Sequence, residues 1–366
     1  VSYLAEYKFF DSLLALFGGN LGLLSFVIFL AAAGAVVGMC ATIGGLGTYA
    51  ERKVSADIQM RIGPNRVGPY GILQFLADGV KMIMKEDIMP RTADKMLFYL
   101  APFLCLFGVF STLAVFPFSA GFIMTDLNVG VFYLIAISSL VGVGVFLGGY
   151  ASNSKWSMLG GMRGASQIIS YEIPVTLSVI AIALLAGGLS FGTIVGKQAG
   201  FIGNWFVFHN PFAFVAFFVY FVGILAETNR APFDLPEAES ELVSGYHTEY
   251  TGMRFGFFAL AEYVEVFVVS GVAAALFLGG YNLPVDIKID IIPIQFLQMA
   301  ILMTKALLLY YVVIWVRWTF PRLRVDQLMS ICWKYLTPFA ILNLVGCAIW
   351  MVVFNGRSLY QLLSGH

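Results

Sequence analysis

The chain has 366 residues, no net charge and only 11% charged side chains, against about a quarter in an ordinary globular domain. Hydrophobic residues make up 60% of it and the mean hydropathy is +0.86, which excludes a water-soluble globular fold and points to a membrane protein. The balanced charge also supplies none of the basic field that nucleic acid requires.

Eight apolar runs approach or exceed the roughly 20 residues that carry a helix across a bilayer. They cover about 22 to 50, 97 to 118, 129 to 150, 166 to 188, 211 to 227, 255 to 280, 294 to 316 and 331 to 354. Backbone groups in lipid must be satisfied within their own segment, so each run is read as a helix, and the pattern lacks the alternation of barrel strands. The expected fold is an all-α polytopic membrane protein with about eight transmembrane helices plus an interfacial amphipathic helix. It forms a single membrane domain over 1–366, with a loop at 51–95 and an acidic loop at 228–254 on the cytoplasmic side.

The first run is about 29 residues long and lacks a small-residue cleavage site, so it is kept as a helix rather than a signal peptide. Gly34 and Gly38 within it form a small-xxx-small pattern suited to close helix contact. After it comes RIGPNRVGPYG (Arg61 to Gly71), a Gly/Pro loop with two arginines. In the following ILQFLADGVKMIMKED, the residues Gln74, Asp78, Lys81 and Lys85 make one polar stripe on an apolar helix, which is expected to lie flat in the interface. A surface helix with merely solvated charges is the competing reading.

Ionisable side chains inside spanning helices cost several kcal/mol (order of magnitude) and by default mark an ion or substrate path. Here they are Glu172, Glu227, Glu262, Glu265 and Lys305. The four glutamates lie toward the cytoplasmic ends of their helices, where snorkelling to the interface is the alternative. Glu172 sits in SYEIP, where Pro174 loosens the backbone ladder. Glu262 and Glu265 are three apart and share a helical face. Lys305 lies roughly 16 Å into its helix at about 1.5 Å per residue, so a carboxylate or a hydrated cavity is expected beside it, with a structural ion pair as the alternative.

Between two of these helices runs AETNRAPFDLPEAESEL (Ala226 to Leu242). Arg230 follows Glu227 at the helix end, Pro232 and Pro236 prevent regular helix, and Asp234, Glu237, Glu239 and Glu241 crowd together. Such carboxyls at a low-dielectric boundary titrate as a coupled group with raised pKa values. A solvated acidic loop is the bland alternative.

Lys and Arg are uneven: four connections carry 16 of them (Arg52 to Lys95, Lys155 and Arg163, Arg230 and Arg254, Arg317 to Lys334). The opposite side carries only Lys8, Lys197, Lys288 and Arg357, which places the acidic loop on the cytoplasmic or matrix face and both termini outside. The four cysteines lie in separate apolar runs, the three histidines form no constellation, and there is no phosphate loop or dinucleotide fingerprint. No metal site or catalytic residue of this chain alone is expected, and any redox centre must come from elsewhere.

Four collinear segments resemble the H subunit (chain 1 in mitochondria) of proton-translocating NADH:quinone oxidoreductase, respiratory complex I. They are AERKVSADIQMRIGPNRVGPYGILQFLADGVKMIMKE (Ala50 to Glu86), QIISYEIP (Gln167 to Pro174), AETNRAPFDLPEAESELVSGYHTEY (Ala226 to Tyr250) and WVRWTFPRLRVDQLM (Trp315 to Met329). The resemblance implies a membrane component that encloses part of a quinone cavity with peripheral-arm subunits and abuts small membrane and antiporter-like subunits. It implies quinone as substrate and no cofactor in this chain, the iron-sulfur clusters and FMN residing in partners. The implied cavity positions are Arg52, Arg61, Asp78, Arg230, Asp234, Glu237, Glu239 and Glu241, and the implied proton path runs through Glu172, Glu227 and Glu262. Glu249 and Lys305 also match positions of the family, and Glu265 is left unassigned, with a structural role favoured for it. The location so implied is a bacterial inner membrane, with the mitochondrial inner membrane as the alternative. A related component of membrane-bound hydrogenases, a stand-alone transporter and a passive anchor are the rival readings.

Overall fold

The computed structural model describes residues 23–283, 294–354 and 356–364. The long helices are α1 (Leu23–Ile58), α2 (Gln74–Met84), α3 (Lys95–Thr112), α4 (Gly130–Ala151), α5 (Lys155–Ala186), α6 (Pro211–Glu227), α7 (Gly252–Phe277), α8 (Ile294–Thr319) and α9 (Val325–Val353). There is no strand among the described residues. Seven of these helices are long and apolar enough to cross a membrane. The eighth expected span is α6, apolar but 17 residues long, at the short end of what can span.

Two boundaries differ from the sequence expectation for physical reasons. α1 continues to Ile58, so Glu51 and Arg52 ride on a helix rather than in a loop. α5 starts at Lys155, well before the apolar run, because its glycine-rich first turns are contact surfaces. A Cβ on Gly161 would lie 3.0 Å from the Cα of Gly149 in α4. A Cβ on Gly160 would lie 2.8 Å from the carbonyl carbon of Gly245, itself in a left-handed turn at φ +63°. Glycine lowers hydropathy there while permitting close backbone approach.

α7 is the central post. Of its most apolar window 83% is buried, against 28% for α8, and it packs on α1, α3, α6 and α8. Its small residues Ser270, Gly271, Ala273, Ala274 and Ala275 let the neighbours approach. α6 opens on Asn210, whose side chain accepts from Ala213 N, with Pro211 in the first turn.

Two breaks in helical regularity face each other. Pro174 has no N–H, which leaves the Ser170 carbonyl without its partner four residues on. The Cys332 thiol of α9 donates to that carbonyl at 3.1 Å, and Tyr171 Oη donates to the Leu328 carbonyl at 2.9 Å. Cys332 belongs to a π-helical turn at Ile331–Leu336 that interrupts α9. Such turns are rare and occur often at functional sites.

Candidate functional site

The four segments that carried the resemblance converge at one end of the bundle, around the loop between α6 and α7. Gln167 of α5 anchors the start of that loop by donating Nε2 to the carbonyls of Ala226 (2.7 Å) and Phe233 (2.8 Å) and to Asn229 Oδ1 (3.2 Å). Leu323, beyond α8, donates its N–H to the Pro232 carbonyl at 3.0 Å.

Arg230 is the centre of this hub and is only 3% exposed. Its Nη1 donates to Glu51 Oε2 at 2.9 Å, its Nε lies 3.4 Å from Glu262 Oε1, and its guanidinium covers the Tyr263 ring at 4.5 Å. Burial works against its charge, but the carboxylates of Glu262 and Glu51 outweigh it and hold the guanidinium protonated. Glu51 is shared, since its other oxygen accepts from Arg317 of α8. One Arg230 Nη2 remains buried without a hydrogen-bond partner among the described residues. Beside this, Asp234 accepts from Arg322 Nη2 at 2.9 Å.

Glu237 is held differently. Burial pushes its carboxyl well above the usual range, the charges of Glu262 and Asp234 push it further, and Arg230 and the Tyr246 hydroxyl pull the other way. Tyr246 Oη donates to Glu237 Oε1 at 3.4 Å, and His247 Nδ1 lies 3.4 Å from the same oxygen. Burial holds His247 down to about 4, so it is neutral at physiological pH. Its Nε2 meets Ser244 Oγ at 3.0 Å. Glu241 is exposed and accepts from Arg163 of α5 at 2.6 Å. The side chain of Glu239 lies outside the described residues. Glu249 is half-buried and joins none of the described ion pairs.

At the interface, Arg52 donates to Asp78 Oδ2 at 2.5 Å and Gln74 donates to Asp78 Oδ1 at 3.3 Å. Gln74 and Asp78 of the α2 stripe thus turn toward α1, while Lys81 and Lys85 stay exposed, as do Leu76, Val80, Ile83 and Met84, consistent with a helix lying in the interface. Arg61 is exposed and donates to Gln59 at 2.6 Å, apart from the hub.

Inside the membrane span, Glu172 (α5), Glu227 (α6) and Glu265 (α7) line one cavity of about 30 Å3, walled by Thr112, Ser138, Tyr220 and valines. That is room for at least one water. Lys305 is not among these groups. Its Nζ donates to the carbonyls of Leu278 (2.7 Å), Gly280 (2.9 Å) and Asn282 (3.1 Å) and sits 4.3 Å over the Trp205 ring. The expected carboxylate partner is replaced by the carbonyls that follow α7, which a cation caps favourably.

Sequence reasoning overlooked Glu51, Arg163, Arg322 and His247, which pair with expected site residues, and Arg317, which pairs with Glu51. The signal for Glu51 was an acid closing an apolar run.

The model of the family described as NADH dehydrogenase matches residues 30–348. The chain belongs to the family of H subunits of NADH-quinone oxidoreductase. It is 45% identical over 332 residues to the H subunit of Anaeromyxobacter dehalogenans, covering 87% of this chain and 80% of that one. It is 47% identical over 313 residues to the H subunit of Chlorobaculum tepidum (84% and 87% covered) and 46% identical over 337 to that of Bacteroides fragilis (87% and 91%). The chain is therefore a membrane component of an oxidoreductase complex, and its partners are other subunits of that complex. Among the described residues no His, Cys, Asp and Glu group could hold a metal ion.

Proposed function

We propose that this chain forms the membrane wall of the quinone cavity and couples quinone reduction, driven by electrons from NADH, to proton translocation. The observation that carries the reading is the juxtaposition of two carboxyl clusters through α6 and α7. One cluster, Asp234, Glu237 and Glu262, surrounds a fixed buried cation, Arg230; the other, Glu172 and Glu227, lines a small cavity in the membrane interior.

The chemistry follows from charge. A quinone head that accepts two electrons must take up two protons, and its negative charge is felt most strongly by groups in a low-dielectric boundary. Glu237, whose carboxyl burial and like charges push well above the usual range, is the natural donor, with the Tyr246 hydroxyl and nearby His247 beside it. Arg230 and Arg322 hold Glu262 and Asp234 in place while the proton inventory changes. The apolar exposed side of α2 offers a path for a lipid-soluble substrate, with Asp78 and Arg52 at its polar margin and Arg61 outside it. Quinone is substrate here; FMN and the iron-sulfur clusters belong to partner subunits, which include the peripheral-arm pair at the quinone site, small membrane subunits and antiporter-like subunits. The location is a bacterial inner membrane.

The test is the assembled complex in liposomes with Glu227→Gln and, separately, Asp234→Asn. The first is expected to lower proton translocation about tenfold or more. The second is expected to weaken quinone reduction and inhibitor binding at the quinone site. Unchanged pumping in the first and unchanged quinone kinetics in the second would remove the proposal.

A further inference from the structure

Glu265 has no role in the reading above. It lies three residues after Glu262 on α7, on the same side of the helix but deeper in the membrane span. Its side chain is 6% exposed, and Oε1 has no hydrogen-bond partner among the described residues. It shares the cavity with Glu172 and Glu227 and is within electrostatic reach of Glu227, Glu262 and Arg230.

A buried polar atom without a partner costs about 1–3 kcal/mol, so a carboxyl at this position weakens the fold unless something satisfies it. The neighbouring α7 lining residues, Val268, Val269 and Val272, are apolar, and packing alone would be served by another of their kind. The cavity supplies the missing partner: about 30 Å3 accommodates a water within reach of the polar lining.

We infer that Glu265 is a further proton-carrying carboxyl of this chain, linking Glu262 at the Arg230 hub to Glu227 and Glu172 through cavity water. The step is a proton transfer only. The Glu262 carboxyl releases a proton, Glu265 takes it on one oxygen and yields one through the water to Glu227; each O–H bond broken is matched by one formed, with no electron exchanged. The inference rests on the relay of the proposed function, which it extends by one residue.

The experiment uses the whole complex in liposomes and three variants: Glu265→Gln, Glu265→Asp and Glu227→Gln. Glu265→Gln keeps shape and hydrogen bonding but cannot carry a proton, and a fall of about tenfold or more in proton translocation is expected. Glu265→Asp keeps a titratable carboxyl and is expected to retain most of it. A purely structural role would reverse that order, and that result overturns the inference. If Glu265→Gln pumps normally while Glu227→Gln does not, the relay stands and Glu265 is not on it. If both pump normally, the relay itself falls. Should Glu265→Gln fail to assemble, quinone-reduction infrared difference spectra of the unsubstituted complex and Glu265→Asp decide: a carboxyl band that moves in the variant is expected, and an unmoved spectrum overturns the assignment.

Discussion

The hub around Arg230 and the cavity around Glu227 hold the same kind of group under opposite rules. In the hub nearly every carboxylate has an arginine: Glu51 has two, and Glu262, Asp234 and Glu241 have one each. In the cavity Glu172, Glu227 and Glu265 have none among the described residues. Paired charges fix geometry, because moving one leaves its partner uncompensated, and Glu262, 3.4 Å from Arg230 Nε without a hydrogen bond to it, is the least tightly held of them. Carboxyls left with water instead can change their proton without dismantling the fold. Glu237 stands between the two regimes, near Arg230 in charge but hydrogen-bonded to the Tyr246 hydroxyl and 3.4 Å from a neutral His247.

The strongest way to break this contrast is Arg230→Ala. Removing one partner of a buried ion pair costs about 3–5 kcal/mol, and here Glu262 loses its arginine while Glu51 is left with Arg317 alone. Loss of assembled complex on native gels and of quinone reductase activity is expected. Normal assembly with an unchanged thermal midpoint would show that the hub does not hold the fold. Arg230→Lys is expected to rescue only partly, since an ammonium lacks the fork that reaches Glu51 and Glu262 together.

The in-between position of Glu237 and His247 gives a pH signature. His247 is held down to about 4 from its ordinary 6.5, so the unfolded chain takes the proton first as pH falls. Its contribution to stability is present above about 6.5 and lost on the way to about 4, amounting to about 3 kcal/mol. Glu237, held up, has the opposite sign: its contribution is present in acid and is lost as pH rises through its raised value. Thermal midpoints across pH should therefore show the acid-side fall reduced in His247→Gln and the alkaline-side fall reduced in Glu237→Gln. Two variants that shift in the same direction would contradict the assignment.

A smaller effect separates Lys305 from both regions. Lys305→Met removes the donor of three carbonyls and should lower stability by about 2 kcal/mol while leaving protons translocated per quinone unchanged. A pumping defect at unchanged stability would return Lys305 to the proton path.

Much of the fold was legible because lipid forces each spanning segment to be long, apolar and internally bonded. The spans appear where the runs were, and α2 turns Asp78 of its polar stripe against Arg52 while Lys81 and Lys85 stay exposed. What hydropathy hid was helix made of glycine, at the start of α5, where backbone contact replaces side-chain apolarity. The acidic loop was recognisable, but its counter-charges were not: Arg317 lies 266 residues from Glu51 and Arg163 lies 78 from Glu241, and no local pattern joins them. Lys305 misled for a related reason, since its partners are backbone carbonyls, which every residue possesses. Glu265 could be placed on the face of Glu262 by spacing, but only the packing of α5 and α6 against α7 gives it the cavity.

The shared carboxylate Glu51 also sets a timetable. Its first partner is made 179 residues later and its second 266 residues later. At roughly 5–20 residues per second, a growing chain waits about 10–35 seconds for the first cation of Glu51 and up to about a minute for the second. During that interval α1 can be in place but the end that carries Glu51 cannot be sealed, and water or lipid headgroups must solvate the acid. This end of the bundle is complete only when α8 has arrived to deliver Arg317, so a nascent chain stopped before that helix must share one buried cation, Arg230, between Glu51 and Glu262.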